Sequence, residues 1–311
     1  MRIELGEDAV EFGRVVRDAL GSAGGDELVQ RAEADPGGRE ALVDGLLGDL
    51  GLWDLDVRGS GDELEAAAAA CRSVGWWAVP ASVPERLARP ADLGADALAV
   101  VAEPRPAAPV HASSLRWIGV DLSGVRSQVV ARPLPTTPRK AAMVADVELR
   151  PIDASGAEDV LFGLLLPSWS LLGMLDRAVA LTTAYVQDRQ QFGKPLAAFQ
   201  AVQFQLTEAE VERAGIEELA KHATWSTATR RPDALVDLLA LRLAALEAAD
   251  VVLRVCHQLH GAIGFCDEST ISWISRYSMP LRRLPLPVSG TRAALVRQAG
   301  RQGLAGLYSA P

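Results

Sequence analysis

Arg189 stands where a long helical pattern ends, in the run Arg189-Gln190-Gln191-Phe192-Gly193-Lys194-Pro195-Leu196. A guanidinium fixed at the end of a rigid helix can grip a phosphate with two parallel N–H bonds; the alternative is an arginine that satisfies the last carbonyls of its own helix. Phe199-Gln200-Ala201-Val202-Gln203 follows closely. About one helical hairpin later, Gln258-Leu259-His260-Gly261-Ala262-Ile263-Gly264-Phe265 puts glycines at another helix end. Glycines there let a backbone approach a ligand closely. His257 and His260 lie three residues apart beside Cys256, a spacing that suggests a metal. No carboxylate or second cysteine pair completes a ligand set, so the histidines read as structural and no metal is expected. The chain carries no G-x-S-x-G elbow, no Walker loop and no strand-led G-x-G-x-x-G.

Taken together and in order, the two runs resemble the R-x-x-F-G-K-x-L…F-Q-x-x-Q and Q-x-x-G-G-x-G-F signatures of the acyl-CoA dehydrogenase family. The resemblance implies a mainly α fold: an N-terminal helical domain, a middle β region and a C-terminal four-helix bundle. It implies FAD as cofactor. Carried over residue by residue, Arg189 would hold the diphosphate of a flavin lying mainly in a neighbouring subunit, with Gln191 and Phe192 beside it. Gln258, Gly261 and Ala262 would face the diphosphate and adenosine end. Ala262 stands where the family has its second glycine. The stretch from His260 to Phe265 is similar to the H-G-G-I-G-F variant of some actinobacterial members.

Other family parts are missing. Acyl-CoA dehydrogenation needs a carboxylate base aimed at the α-carbon and a flavin ring on the other side of the acyl chain. The family's Y-E-G-T segment aligns with Pro287-Val288-Ser289-Gly290-Thr291, so Ser289 takes the place of the Glu. A serine does not serve as that base without a partner base of its own. A second family solution puts the acid on the first bundle helix; counted back from Tyr185, that position is about Gly163. Glu158 and Asp159 are offset from it, and Asp176 is a helix turn or more away. The flavin-ring run C-x-T-E-P-x-x-G-S-D has only a Glu103-Pro104 echo, and Trp117-Ile118-Gly119-Val120 is a weak shadow of W-x-T-N-G. The resemblance is tight only from about 171 to 297.

Retained cross-subunit flavin contacts with lost chemistry are the pattern of a degenerate subunit in a heteromeric acyl-CoA dehydrogenase. The resemblance implies an α2β2 assembly with one FAD per unlike pair, similar to actinobacterial enzymes that act on steroid side-chain CoA thioesters. The partner subunit would supply the base, the flavin-ring pocket and most of the acyl pocket, and the isolated chain would be inactive. The alternative is a self-sufficient homo-oligomeric enzyme on this fold, with a displaced acid such as Asp176 or with non-redox thioester chemistry. A purely structural helical scaffold is a third reading, against which the retained Arg189 run counts.

The elements that must position these residues fall into three zones. Residues 1–90 read as an N-terminal helical domain, with a stripe through Val10, Phe12, Val15, Val16 and Leu20 and a second through Leu42, Leu46, Leu47, Leu50 and Leu52. Asp62-Glu63 opens an Ala-rich helix that Gly75 is expected to close. Residues 91–165 read as a reduced middle β region, with strands near Ala97–Ala102, Trp117–Val120, Gln128–Ala131 and Val147–Arg150. Residues 166–311 read as the bundle: helices over about Ser170–Arg189, Phe199–Arg230 and Asp233–Leu259, a fourth after Asp267 and a short last one after Gly290.

Composition agrees with a folded, well-buried protein. The 311 residues are 49% hydrophobic with a mean hydropathy of +0.12, ample for a core and against disorder. A net charge of −9 argues against a general nucleic-acid binder. Cys71, Cys256 and Cys266 form no framework, as expected of thiols in a reducing cytoplasm. The N-terminus shows no signal h-region, and the apolar stretch from Ala234 to Cys256 is broken by Asp237, Arg242, Glu247, Asp250 and Arg254, so the expected location is the cytoplasm.

Overall fold

The computed structural model describes residues 3–35, 38–109, 115–131 and 144–302. Five helices come first: α1 (Glu7–Ser22), α2 (Asp26–Ala34), α3 (Arg39–Asp49), α4 (Gly61–Trp76) and the short α5 (Val83–Leu87). Ser60 caps α4 by accepting a hydrogen bond from the Glu63 amide at 3.2 Å, and Asp62 and Glu63 sit in its first turn, where acids favour the helix dipole. In α1 the buried face is Ala9, Gly13, Val16 and Leu20; Val10 and Val15 point to solvent. The expected stripe was therefore partly misphased. The small residues win because α1 lies almost against α4: a Cβ on Gly13 would sit 2.9 Å from the Ala69 Cβ.

Gly75 does not close α4. It lies inside the helix, against the backbone of Ser170, and a Cβ there would overlap the Ser170 carbonyl oxygen. Gly173 makes the reciprocal approach to the Arg72 carbonyl oxygen. The two glycines thus seat α4 on α6 (Ala157–Asp188) at backbone distance.

The middle region is a five-stranded sheet. Its strands are β1 (Ala97–Val100), β2 (Ala107–Ala108), β3 (Trp117–Val120), β4 (Val125–Ala131) and β5 (Ala145–Ser155), in the order β1-β3-β4-β5-β2. Only β1 and β3 are parallel. Residues 110–114 and 132–143 of this region lie outside the described ones. The sheet is tied to α6 through Asp159, which is fully buried and meets Arg126 at 2.6 Å and Arg58 at 2.8 Å.

The helix expected from Ser170 begins at Ala157, inside the zone read as β, and runs for 32 residues. The interruption that hid its first turns is Pro167, whose ring would strike the carbonyl four residues back. That residue is Gly163. A two-residue-stranded hairpin, β6 (Gln190–Gln191) and β7 (Lys194–Pro195), follows α6, and α7 (Gln200–Ala228) and α8 (Ala234–His260) come next. Short helices α9 (Thr270–Tyr277) and α10 (Met279–Arg283) lead to α11 (Val288–Gln302). The expected fourth helix after Asp267 is only the eight-residue α9; α11 packs along α8 and completes the bundle.

α6 is also the one described helix long and apolar enough to cross a membrane, in place of the stretch from Ala234 to Cys256; 67% of its most apolar window is buried inside the fold. Its apolar length serves the core, since it packs against α4, α7 and α8 together.

Candidate functional site

Arg189 is the first residue beyond α6, in extended backbone. Its amide donates to the Tyr185 carbonyl at 2.8 Å, and its own carbonyl accepts from the Leu196 amide at 2.8 Å. The backbone is therefore clamped at both ends of the hairpin. Its side chain is exposed, and the guanidinium makes no hydrogen bond or ion pair among the described residues. Of the two readings of Arg189, the carbonyl-satisfying one does not match this geometry.

The hairpin turns through Phe192 and Gly193, at φ 53° and 80°. Positive φ at both central residues is the type I′ turn that suits two-residue hairpins. A phenylalanine pays a steric cost in that region, of order 1 kcal/mol. It ends up 91% exposed, set edge-on to Phe199 at 6.2 Å between ring centroids. The Lys194 ammonium lies 4.3 Å from the Phe199 ring centroid. Gln191, opposite Lys194 in the hairpin, is exposed too.

The glycine turn is built at the same end of the bundle. α6 and α8 run parallel, and the Tyr185 ring, one turn before Arg189, stacks on His260 at the end of α8 with centroids 4.4 Å apart. Gly261 stops α8 at φ 64°, a conformation that favours glycine, and nothing lies within 4 Å of where its Cβ would stand. Gln258, Gly261, Ala262, Ile263 and Phe265 are exposed, while Gly264 is buried. Phe265 stacks on His257 at 4.4 Å. Burial holds both His257 and His260 below the usual imidazole range, so both are neutral. Among the described residues no group of three His, Cys, Asp or Glu side chains could hold a metal. Two helix C-termini meet here, and each carries partial negative charge. Such ends attract cations, and the Arg189 guanidinium stands unengaged among the described residues beyond the end of α6.

The candidate acids behave differently. Ser289 is exposed in the first turn of α11, and its hydroxyl has no hydrogen-bond partner among the described residues, so no base activates it. A Cβ on Gly163 would stand 2.6 Å from a Val100 methyl, so β1 occupies the space an acid would need there. Asp159 is consumed by the two arginines already named. Asp176 is gripped by Arg72 at 2.6 Å and Arg213 at 2.9 Å, in a network shared with Glu217. Burial opposes ionisation of Glu217, yet hydrogen bonds from Arg72 and Arg213 hold it down at about 2. Glu158 is exposed and shares an open cleft with Arg58 and Arg230.

One acid escaped the sequence reading. Glu85, on α5, is 5% exposed and has an unpartnered carboxylate oxygen. It borders two small cavities of about 30 Å³ each, one of which also touches Gly163 and Arg242. Burial, with Glu40 nearby, pushes its carboxyl up to about 8. Each cavity has room for water but not for an acyl chain. Glu85 therefore keeps its proton in the folded state from about pH 4.5 to about pH 8, where the unfolded chain releases it, and stability falls as pH rises through that window. Glu85→Gln should remove the slope. Its melting temperature should match the parent near pH 4.5 and exceed it by several °C above pH 8, at roughly 2–4 °C per kcal/mol. Parallel pH profiles of the two proteins would contradict this.

Comparison with known proteins bears on this geometry. Residues 165–301 match the family model described as "Acyl-CoA dehydrogenase, C-terminal domain". Acyl-CoA dehydrogenase FadE28 of Mycobacterium tuberculosis is 39% identical over 92 residues, covering 30% of this chain and 27% of that protein. Acyl-CoA dehydrogenase IpdE2 of Mycolicibacterium smegmatis is 31% identical over 144 residues, covering 45% of this chain and 44% of that protein. Residues 165–301 are therefore similar to an acyl-CoA dehydrogenase C-terminal domain. The aligned stretches span about a quarter of the length of the first curated relatives. Fold similarity extends further. A chain of the Tcur3481-Tcur3483 steroid ACAD superposes with a TM-score of 0.77 at 18% identity, covering 97% of this chain and 100% of that one. A chain of the ChsE4-ChsE5 complex from Mycobacterium tuberculosis gives 0.75 at 15% identity, covering 98% and 100%. At such identities the match is one of fold, and it extends over the α-β-α order of nearly the whole chain.

Proposed function

We propose that this chain is a half-site subunit of a heteromeric, FAD-dependent acyl-CoA dehydrogenase that desaturates an acyl-CoA thioester between its α and β carbons. The observation that carries the reading is the contrast between an unengaged Arg189 and acids that are all committed elsewhere or misplaced. Two features support placing the diphosphate end of FAD here: a guanidinium unengaged among the described residues at the end of α6, and, at the same end of the bundle, Gly261, with nothing within 4 Å of where its Cβ would stand. When bound, FAD would supply the acceptor for the hydride of the β-carbon. Arg189 would hold its diphosphate, offsetting the negative ends of α6 and α8. Gln191 and Phe192 flank it from the hairpin, and Gln258, Gly261 and Ala262 face the diphosphate and adenosine. A catalytically competent acyl-CoA dehydrogenase subunit supplies the base that takes the α-proton, the ring pocket and most of the acyl pocket.

We take the assembly as α2β2 and cytoplasmic, with no nucleic-acid or membrane partner. Two structures similar in fold, one a steroid ACAD and the other the ChsE4-ChsE5 complex, support an unlike partner and a bulky steroid-type acyl group. The test is an acyl-CoA-dependent reduction of an artificial electron acceptor, run on the chain alone, on a co-expressed acyl-CoA dehydrogenase-like partner alone, and on the two together. Activity confined to the mixture is expected. Activity in the lone chain would overturn the half-site reading in favour of a self-sufficient enzyme.

A further inference from the structure

The two motifs are more than sixty residues apart in the chain, yet the function proposed above has them act on one ligand. Among the described residues no hydrogen bond or ion pair joins the hairpin at 190–196 to the turn at 261–266. Where α6 packs on α8, the last side-chain contact before the two motifs is the ring stack between Tyr185 and His260, with centroids 4.4 Å apart and planes 18° apart. Each ring is fixed to the motif it precedes. The Tyr185 carbonyl accepts the Arg189 amide at 2.8 Å, so the ring and the guanidinium belong to one helical turn. His260 is the residue before Gly261 and is 9% exposed. Its Nδ1 lies 2.9 Å from the Cys256 carbonyl oxygen, and with that nitrogen protonated the bond sets both the plane of the ring and its tautomer. Aromatic pairs have a preferred separation and tilt, so the stack resists sliding of α6 along α8.

We propose that Tyr185 and His260 are positioning residues: their stack fixes the distance between the Arg189 guanidinium and the Gly261 turn, and makes the two halves of one anion-binding site move as a unit. The consequence for flavin rests on the function proposed above; the mechanical coupling does not.

Hydrogen exchange on the full chain tests the coupling directly. Tyr185→Leu, made on α6, should speed exchange in residues 261–266. His260→Leu, made on α8, should speed it in residues 190–196. The expected change is between about two- and ten-fold in each remote segment. His260→Phe keeps a ring and should restore protection. Exchange altered only in the segment next to each substitution, or no rescue by phenylalanine, would overturn the proposal. If His260→Leu does not fold, Tyr185→Leu alone reads the same coupling in residues 261–266. In the assembled complex with FAD, His260→Leu should lose flavin and His260→Phe should retain it, with Arg189→Ala as control. Flavin loss in Arg189→Ala without loss in His260→Leu counts against the positioning role. Full retention in Arg189→Ala overturns the phosphate-clamp reading instead, and the exchange result then decides the coupling by itself.

Discussion

Arg189→Ala should weaken FAD retention in the assembled complex by roughly 10- to 100-fold, the worth of a charge-assisted bidentate contact to a phosphate. The same substitution should leave the melting temperature of the lone chain unchanged, because the guanidinium has no partner among the described residues. Few substitutions separate binding from stability so cleanly. Arg189→Lys keeps the charge but not the fork, so an intermediate loss is expected. Flavin content and melting curves of the three proteins check this. Equal flavin in parent and alanine variant would remove Arg189 from the site, and a large fall in lone-chain stability would show that it has a structural role after all.

The largest stability effect belongs to the crossing of α4 and α6. Any side chain on Gly75 would overlap the Ser170 carbonyl, and any on Gly173 would overlap that of Arg72, so the helices must part. Gly75→Val should cost about 3 kcal/mol or more, and lower the melting temperature by roughly 10 °C. Gly45→Ala is the matched control. It too replaces a glycine inside a helix, α3, but nothing lies within 4 Å of its Cβ position. Alanine there should stabilise by up to about 1 kcal/mol through helix propensity. Thermal melts of Gly75→Val and Gly45→Ala should therefore move in opposite directions; a small change in Gly75→Val would mean that the close approach is not required. The site depends on this crossing only indirectly, since α6 carries Arg189 at its far end.

Much of this was legible in the sequence because the signals were local. The run from Arg189 to Gln203 carries a helix end and a new helix start within fifteen residues, and the structure forms both there, at Asp188 and Gln200. The strand at Trp117–Val120 was read to the residue, since a short apolar run between breakers has few alternatives. What failed depended on what lies across the fold. Gly75 reads as a stop in a helical pattern, and only Ser170 opposite shows why glycine is needed within the helix. Val10 and Val15 carry the hydrophobicity of α1, but Gly13 and Ala9 carry its contact. Glu85 follows Val83-Pro84 and looks like a surface turn; nothing local says that it is buried beside Glu40 and Arg242. The start of α6 was hidden by Pro167, which lies inside the helix.

The acid candidates show the same division. Counting along the family pattern was enough to place Ser289 and Gly163 where a base would stand. It could not show that β1 has closed over Gly163, or that Asp176 is held between Arg72 and Arg213. Those facts leave no base at Gly163 or Asp176, and Glu85, which shares a cavity with Gly163, has room beside it for water but not for an acyl chain.

The most direct test of that reading is flavin stoichiometry by visible absorbance, on the purified chain alone and on the chain co-purified with an acyl-CoA dehydrogenase-like partner. A colourless lone chain and one FAD per unlike pair are the expected result. One FAD per chain in the lone protein would contradict it, and would show that this chain builds a complete flavin site by itself.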